Sequence, residues 1–373
     1  MAPFWYLCLV LRQFLETVAV ASMPVFVNLQ ESRVTSAYRK TLNKAWDGLL
    51  TWCHVQDRLS PESCSRDPER MNALLIDHIQ FLHEERRGVS AGRHALLSIH
   101  HRYPHLRPSL QAAWDSVKSW EQLDPVRLRQ PIPPLVLDCL FYFAMLMGFG
   151  ATGQVARDWI CFGIGLLCGF DGLLRPCEFC SLKAGLIAVP SQALHSLMSG
   201  GLMTVLNGKN RRVFGRVQIA ILDRGRSLDW LSWLVRGMDN EVRLFHGGTA
   251  KFRRLFHTAV KALHLESLRL SPAGLRAGGA THLFTSGRMD VSRIKYRGRW
   301  ASLSTLEHYI QEASAQLALM RLDSWTVDRL LKIRAAGSVF ESPPERGWQA
   351  YFTRPVPQWT SAVSHKQSLK PRL

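Results

Sequence analysis

Apolar residues recur at helical spacing along most of the chain, beginning near residue 35. After Thr35, a residue type suited to a helix N-cap, apolar positions fall three or four residues apart at Leu42, Trp46, Leu49, Leu50 and Cys53. The same spacing predicts helices near residues 68–85 and 91–101, and Pro108 is placed to open a fourth. Residues 33–123 are therefore predicted to form a small all-helical domain.

A different pattern follows residue 134. Two strongly apolar stretches, 135–147 and 155–170, predict buried helices. Short β-rich runs come next, at residues 184–189, 202–206 and 213–221. Helical spacing then returns, including a long helix over 313–333. The predicted fold class is mainly α with a small antiparallel β-sheet (α+β), the second domain covering residues 135–335.

Three segments fall outside these domains. Residues 124–134 are rich in proline and arginine and predict an extended, basic interdomain linker. Residues 1–32 begin with an apolar run of 26 residues, which Arg12 and Glu16 interrupt and which is too short to span a bilayer, so a packing or poorly ordered N-terminal extension is predicted. Residues 336–373 are rich in Pro, Ser and charge, and they predict a mobile tail.

Composition adds a strong electrostatic signal. Hydrophobic residues make up 47% of the 373-residue chain, which excludes a disordered composition. The formal charge is +18 at pH 7, and so large a surplus destabilises a compact fold unless a polyanion is near. Nucleic acid is the first partner this indicates and an anionic membrane the second, with a generically basic protein as the plain alternative.

The eight cysteines do not form a disulfide framework. Most lie in apolar helical stretches, which favours a reduced, intracellular compartment. Cys177 and Cys180 form a lone C-x-x-C pair, whereas a structural zinc site needs a second ligand pair at suitable spacing. Core packing is therefore the preferred interpretation of this pair.

Three clusters carry candidate chemistry. Arg175 is followed three residues later by Glu178, which is near enough on a helical turn to orient a guanidinium. Arg276 lies among small residues that allow close approach of backbone or ligand, and Trp300 precedes Tyr309 by nine residues. Cleaving a phosphodiester without a metal needs a nucleophile and cationic donors for the phosphate oxygens, and these clusters contain both.

A lysine supplies the remaining group. Lys209 follows Asn207-Gly208 between two predicted strands, and an Asn-Gly pair favours a tight hairpin turn. A lysine at a hairpin tip can reach into a DNA groove or protonate a leaving oxygen. The plainer alternative is a solvated basic turn, just as Arg175–Glu178 alone would be a surface ion pair and Tyr309 alone a packing residue on a helix.

The order of these motifs resembles the tyrosine recombinase (phage-integrase-type) family. The matching positions are Arg175 and Glu178, the hairpin Lys209, Arg276 in LRAGGAT, Trp300 after Gly298-Arg299, and Tyr309. The specific motifs cover about residues 135–330, and the helical segment before them looks like the family's core-binding (SAM-like) DNA-binding domain. Residues 113–131 weakly resemble members carried by eukaryotic mobile elements.

The resemblance implies a reaction and its partners. Arg175, Arg276 and Trp300 would hold the scissile phosphate with Glu178 in support, Lys209 would protonate the 5′-oxygen, and Tyr309 would form a 3′-phosphotyrosine. A 5′-hydroxyl of a partner strand then reseals the DNA, without a cofactor, ATP or metal. It further implies double-stranded DNA as partner, DNA contacts from Arg211, Arg212 and Arg299, and a DNA-dependent homo-oligomer assembled through 313–333. No membrane partner is expected, and the location would be intracellular, nuclear if eukaryotic.

One position departs from the family pattern. Where the family's H-x-x-R box begins with histidine, this chain has Ala273, and neither His282 nor His308 has an obvious substituting spacing. Losing one acid–base group costs on the order of 10²–10⁴-fold in rate. A catalytically inert DNA-binding relative is therefore the main alternative. A type IB topoisomerase-like enzyme is a third possibility, which the compact size and the Trp–Tyr interval disfavour.

Overall fold

The computed structural model describes residues 34–124, 129–190, 200–206, 208–209, 211–215 and 217–352. The chain divides into two compact units, one before and one after residues 125–128. The N-terminal extension predicted over residues 1–32, whether packing or poorly ordered, lies outside the described part.

The first unit is helical, as predicted. Its α-helices are α1 (Ser36–Val55), α2 (Pro68–Glu84), α3 (Val89–Arg102) and α4 (Gln111–Leu123). Thr35 caps α1 by accepting a hydrogen bond from the Tyr38 N–H, at 3.2 Å. Pro108 does not open the fourth helix: it lies inside a 3₁₀ segment, Pro104–Ser109, and α4 starts after it. The apolar faces enclose one core that includes Leu49, Leu75 and Ile99.

The second unit contains the remaining helices and the sheet. In chain order they are α5 (Pro134–Phe149), α6 (Gly153–Asp171), α7 (Pro176–Ser181), β1 (Ile187–Ala188), β2 (Gly200–Leu206), α8 (Arg211–Phe214), β3 (Val217–Asp223), α9 (Arg226–Val235), α10 (Gly248–Ala262), α11 (Gly274–Thr285), α12 (Val291–Arg297), α13 (Leu303–Glu307), α14 (Glu312–Met320), α15 (Ser324–Ala336) and α16 (Gln349–Phe352). The fold class is thus confirmed: helices dominate around one small antiparallel sheet.

The sheet has the order β1-β2-β3, with both pairs antiparallel. Strands β2 and β3 pair from Gly200↔Asp223 to Leu206↔Val217. Their connection is therefore a loop carrying α8, and the prediction of a tight turn at Asn207-Gly208 is wrong. Val213, predicted to begin a strand, lies in α8 instead.

Helix α11 packs so closely on its neighbours that only glycine fits at three positions, Gly274, Gly278 and Gly279. A Cβ added at Gly278 would overlap the Ile132 backbone, and one added at Gly279 would overlap the Phe170 carbonyl. The small residues around Arg276 therefore serve backbone packing. The same contact corrects the linker prediction: Ile132 is fully buried and donates its N–H to the Gly274 carbonyl at 3.2 Å.

The C-terminal segment is ordered further than predicted. Phe340, Trp348 and Tyr351 pack against the main core, and the Trp233 indole donates to the Arg346 carbonyl at 2.9 Å. The prediction of a mobile tail is wrong for Gly337–Phe340 and the residues that pack beside it; residues 353–373 lie outside the described part. The predicted single helix over 313–333 is also interrupted, because Asp323 caps α15 by accepting from the Thr326 N–H.

The two cysteines of the C-x-x-C pair differ in exposure. Cys180 is buried in the core as predicted, whereas Cys177 is exposed. Within the described ranges, no group of three or more His, Cys, Asp or Glu side chains is arranged to hold a metal ion. Among the helices that the structure describes, none has the length and apolarity needed to cross a bilayer.

The packing of α11 makes Gly279→Ala strongly destabilising. The added methyl meets backbone, which cannot move away as a side chain can, so we expect a loss of about 1–3 kcal/mol in the free energy of unfolding. Urea denaturation measures it. Gly347→Ala is the control, because its new Cβ would meet only the flexible Gln349 amide, 2.6 Å away. Equal stability of both variants would contradict the packing role.

Candidate active site

The side chain of Glu178 lies at the centre of the candidate site. Pro176 at the first position of α7 leaves Arg175 as its N-cap, and Glu178 accepts the Arg175 N–H at 2.9 Å, as in a capping box. The Arg175 guanidinium donates to the same carboxylate at 2.5 Å. The predicted orientation of Arg175 by Glu178 is therefore present, and it arises from local helix-capping geometry.

Arg276 reaches this carboxylate from α11. Its side chain is 2% exposed, and its Nη1 lies 3.9 Å from Glu178 Oε2, an ion pair too long for a hydrogen bond. Its Nη2 donates to the Gly298 carbonyl. Nε and Nη1 form no hydrogen bond with any described residue. A buried guanidinium with two such donors is costly unless an anion accepts from them.

Trp300 and Tyr309 lie against this guanidinium. The Arg276 Cζ is 4.4 Å from the Trp300 ring centroid and 5.8 Å from that of Tyr309, and the two rings are 5.0 Å apart. The indole Nε1 of buried Trp300 is also without a hydrogen bond to described residues. The site thus combines unsatisfied N–H donors with a phenol.

Tyr309 does not lie on a helix as predicted. Helix α13 ends at Glu307, and the Tyr309 N–H bonds back to the Leu306 carbonyl at 2.7 Å in a tight turn. Thr281 of α11 fixes this turn from below: its hydroxyl donates to the Tyr309 carbonyl at 3.1 Å and accepts the Gln311 N–H at 3.0 Å. The phenol is therefore held on a short turn beside α11, half-buried.

Arg299 differs most from its prediction. It was expected to contact DNA, but only 3% of the residue is exposed, and its Nη2 donates to Glu178 Oε2 at 2.8 Å. The sequence gives no local signal for this pairing, because 121 positions separate the two residues. A left-handed backbone at Arg299, φ +57°, is the structural sign that the position is special.

Lys209 belongs to the connection between β2 and β3. It is exposed in the β2–β3 connection and forms no hydrogen bond or ion pair with the described cluster residues. Arg211 and Arg212 belong to α8 in the same connection, and their side chains lie outside the described part. The predicted roles of these three residues therefore stay predictions.

Neither His282 nor His308 takes the place expected at Ala273. Ala273 is half-buried as the N-cap of α11. His282 packs beside Phe170, with ring centroids 5.9 Å apart, and His308 is exposed. Neither forms a hydrogen bond through its ring to the described cluster residues.

The electrostatics of the cluster favour an anion. Burial alone would raise the pKa of Glu178, but Arg299, Arg175 and Arg276 together hold it below its usual value. Burial lowers the pKa of Arg276, and the neighbouring positive charges of Arg175 and Arg299 lower it further. Three guanidinium groups thus face one carboxylate, and a bound anion would relieve their mutual repulsion.

No protein-family model matches the chain, and no curated protein matches its sequence. Similar solved structures include XerH site-specific recombinase bound to a palindromic difH substrate, at 13% identity and TM-score 0.46, covering 78% of this chain and 76% of that one. The Tn1549 transposon integrase in complex with transposon right end DNA is 13% identical with a TM-score of 0.47, and the match covers 78% of this chain and 96% of that one. A lambda integrase dimer bound to a COC′ core site is 10% identical with a TM-score of 0.42, and the match covers 82% of this chain and 86% of that one. All three TM-scores lie below 0.5, so the case for the site rests on its residues.

The free donors of Arg276 predict binding of inorganic phosphate. Phosphate should raise the unfolding temperature in proportion to the logarithm of its concentration once that exceeds the Kd; with a Kd of about 1 mM, 10 mM phosphate stabilises by about 1.4 kcal/mol. Arg276→Gln should lose this stabilisation. Arg253→Gln, which removes an exposed arginine of α10, should retain it. An equal phosphate response in all three proteins would place the anion elsewhere.

Proposed function

We propose that the chain is a tyrosine recombinase that cleaves and rejoins DNA through a 3′-phosphotyrosine intermediate. The observation that carries the proposal is the buried Arg276, whose unsatisfied donors lie against the rings of Trp300 and Tyr309. A buried arginine beside a half-buried tyrosine provides both the cationic clamp and the nucleophile of a metal-free phosphoryl transfer.

Each residue has a task in this reaction. Arg175 and Arg276 bind the non-bridging oxygens of the scissile phosphate, and the Trp300 indole N–H supports them. The Tyr309 hydroxyl gives up its proton to solvent as its oxygen attacks phosphorus, and the displaced 5′-oxygen takes a proton from Lys209. In the reverse direction a 5′-hydroxyl attacks the phosphotyrosine, so the phosphoester bond energy is kept throughout.

DNA is the partner that best accounts for the charge of the chain. The surplus of +18 needs a polyanion, and exposed Lys209 lies in a loop shared with Arg211 and Arg212. Intracellular action, nuclear in a eukaryotic host, belongs to the same proposal.

The second candidate is an inert DNA-binding relative, and Ala273 favours it. Without the histidine, the cluster keeps its cations and its phenol but lacks one proton-transfer group. Affinity for DNA does not separate the candidates, because both would lose affinity steeply with salt. Only the covalent step does.

A library of nicked duplexes tests that step, because the short fragment that carries the new 5′-hydroxyl is lost after cleavage and cannot reseal the strand. Wild type should accumulate a protein–DNA adduct on denaturing gels, with the DNA attached at Tyr309. Tyr309→Phe should bind the duplexes without adduct. Tyr296→Phe, which alters a tyrosine that is 77% exposed on α12, should behave as wild type.

Two further outcomes separate the candidates. Lys209→Ala should slow adduct formation by about 10²–10⁴-fold, as expected for loss of a general acid, without changing binding as much. If the wild-type protein enriches specific duplexes but yields no adduct, the chain is the inert DNA-binding relative. Relaxation of supercoiled DNA by a single bound copy, with no strand exchange, would instead indicate a topoisomerase.

Recombination joins two duplexes, so we also propose assembly on DNA through α14 and α15. These helices expose apolar side chains, Leu317 at 48%, Met320 at 75% and Trp325 at 59%. Size measurements with duplex DNA should give complexes of several copies, and Met320→Glu should reduce them to one copy per site. Val339→Glu is the control, since Val339 is 73% exposed outside both helices. Equal assembly by both variants would contradict a role for α14 and α15 in assembly on DNA.

A further inference from the structure

Arg299 occupies a conformation that its residue type disfavours. It immediately precedes Trp300 and has φ +57°, in the left-handed region that glycine enters without strain. Its side chain nevertheless runs inward, with 4% exposed. A buried arginine on a strained backbone is retained only where surrounding contacts over-determine it.

The contacts of Arg299 join two connections of the fold. Its Nη2 donates to Glu178 Oε2 at 2.8 Å and to the Leu173 carbonyl at 3.4 Å. Leu173 is itself left-handed, with φ +50°, in the connection that leads into Arg175. One guanidinium therefore links the turn before Trp300 to the turn before Arg175.

The two oxygens of Glu178 are divided among three arginines. Oε1 accepts from the Arg175 guanidinium at 2.5 Å. Oε2 accepts from the Arg175 backbone N–H at 2.9 Å and from Arg299 at 2.8 Å, whereas Arg276 Nη1 remains 3.9 Å from Oε2. Because Arg299 takes the second oxygen, Arg276 keeps Nε and Nη1 without a hydrogen bond to described residues. If Arg299 were absent, the Arg276 Nη1, which lies 3.9 Å away, could move to bond to that oxygen.

We propose that Arg299 is a positioning residue of the phosphate site, which occupies Glu178 so that the Arg276 guanidinium is left to bind the scissile phosphate. The inference rests on the proposed function. It also explains why a residue that was expected to contact DNA is buried: Arg299 acts through Glu178 and does not touch substrate.

The same geometry sets a pH dependence. The charged groups facing Glu178 are Arg175 at the start of α7, Arg276 from α11 and Arg299 from the connection after α12. Burial opposes ionisation of Glu178, and Arg299 is foremost among the groups that nevertheless lower its pKa. The ionised carboxylate stabilises the fold above its unfolded pKa, and this stability is lost as pH falls through the folded value. Removing Arg299 raises the folded pKa, so the loss begins at higher pH.

Three substitutions at Arg299 test the inference, with two readouts. Arg299→Gly removes the guanidinium and relieves the backbone, Arg299→Gln removes only the charge, and Arg299→Lys keeps a cation. Arg269→Gly is the matched control, because Arg269 is also left-handed, φ +49°, but exposed. The readouts are single-turnover adduct formation on the nicked duplex and the unfolding temperature between pH 4 and 8, with and without inorganic phosphate.

We expect Arg299→Gly and Arg299→Gln to slow adduct formation by about 10²-fold, as for misplacement of a catalytic group. Both should lose phosphate stabilisation and begin acid destabilisation at higher pH than wild type. Arg299→Lys should recover part of each property, and Arg269→Gly should match wild type. If Arg299→Gly does not fold, Arg299→Gln decides by the same criteria.

The inference and the proposed function fail separately. If wild type forms the adduct and the glycine and glutamine variants match it in rate, phosphate response and pH profile, the role of Arg299 is overturned and the recombinase proposal stands. If wild type forms no adduct, the recombinase proposal fails. The phosphate response and pH profile of the variants then still decide whether Arg299 keeps Arg276 available to an anion.

Discussion

The candidate site depends on one buried carboxylate. Glu178 receives hydrogen bonds from Arg175 and Arg299 and lies within ion-pair distance of Arg276, three cations on separate parts of the fold. Removing one partner from a buried ion pair is strongly destabilising, commonly by about 3–5 kcal/mol, because the remaining charge is uncompensated. With one negative charge among three positive ones, Glu178 fixes the arginines in place without neutralising them. The remaining positive charge is what makes the site able to bind an anion.

Close backbone packing sets the distances within that cluster. Gly278 and Gly279 let α11 approach the Ile132 and Phe170 backbones, which places Arg276 beside the turn that carries Glu178. Gly298 likewise allows close packing beside Trp300, because any side chain at Gly298 would overlap the Trp300 ring. The Gly298 carbonyl also accepts a hydrogen bond from Arg276. Because packing holds the indole and the guanidinium together, the site exists before any substrate arrives, as preorganised electrostatics require.

What the sequence predicts well is what short-range geometry dictates. Arg175, Pro176 and Glu178 specify a capped helical start within four residues, and the Trp300–Tyr309 interval brings two rings together over one short helix. Long-range partners escape such reasoning: the pairing of Arg299 with Glu178 joins positions 121 residues apart, and only the folded chain shows that this arginine is buried. Local rules also failed where tertiary contacts override them. Strands β2 and β3 pair up to Leu206 and Val217, so the connection between them is longer than a tight turn at Asn207-Gly208. In the segment predicted to be a mobile tail, Trp348 and Tyr351 pack against the core.

Ala273 bears on chemistry more than on binding. It caps α11 without a side-chain hydrogen bond, and the arginines, the indole and the phenol are all assembled despite it. A missing acid–base group removes on the order of 10²–10⁴-fold in rate, whereas stabilisation of developing charge is usually the largest contribution to catalysis. In the proposed reaction that larger contribution would come from Arg175 and Arg276, which lie beside Glu178. An enzyme slowed by one missing proton-transfer group is therefore a smaller departure from the described geometry than one that has lost its chemistry altogether.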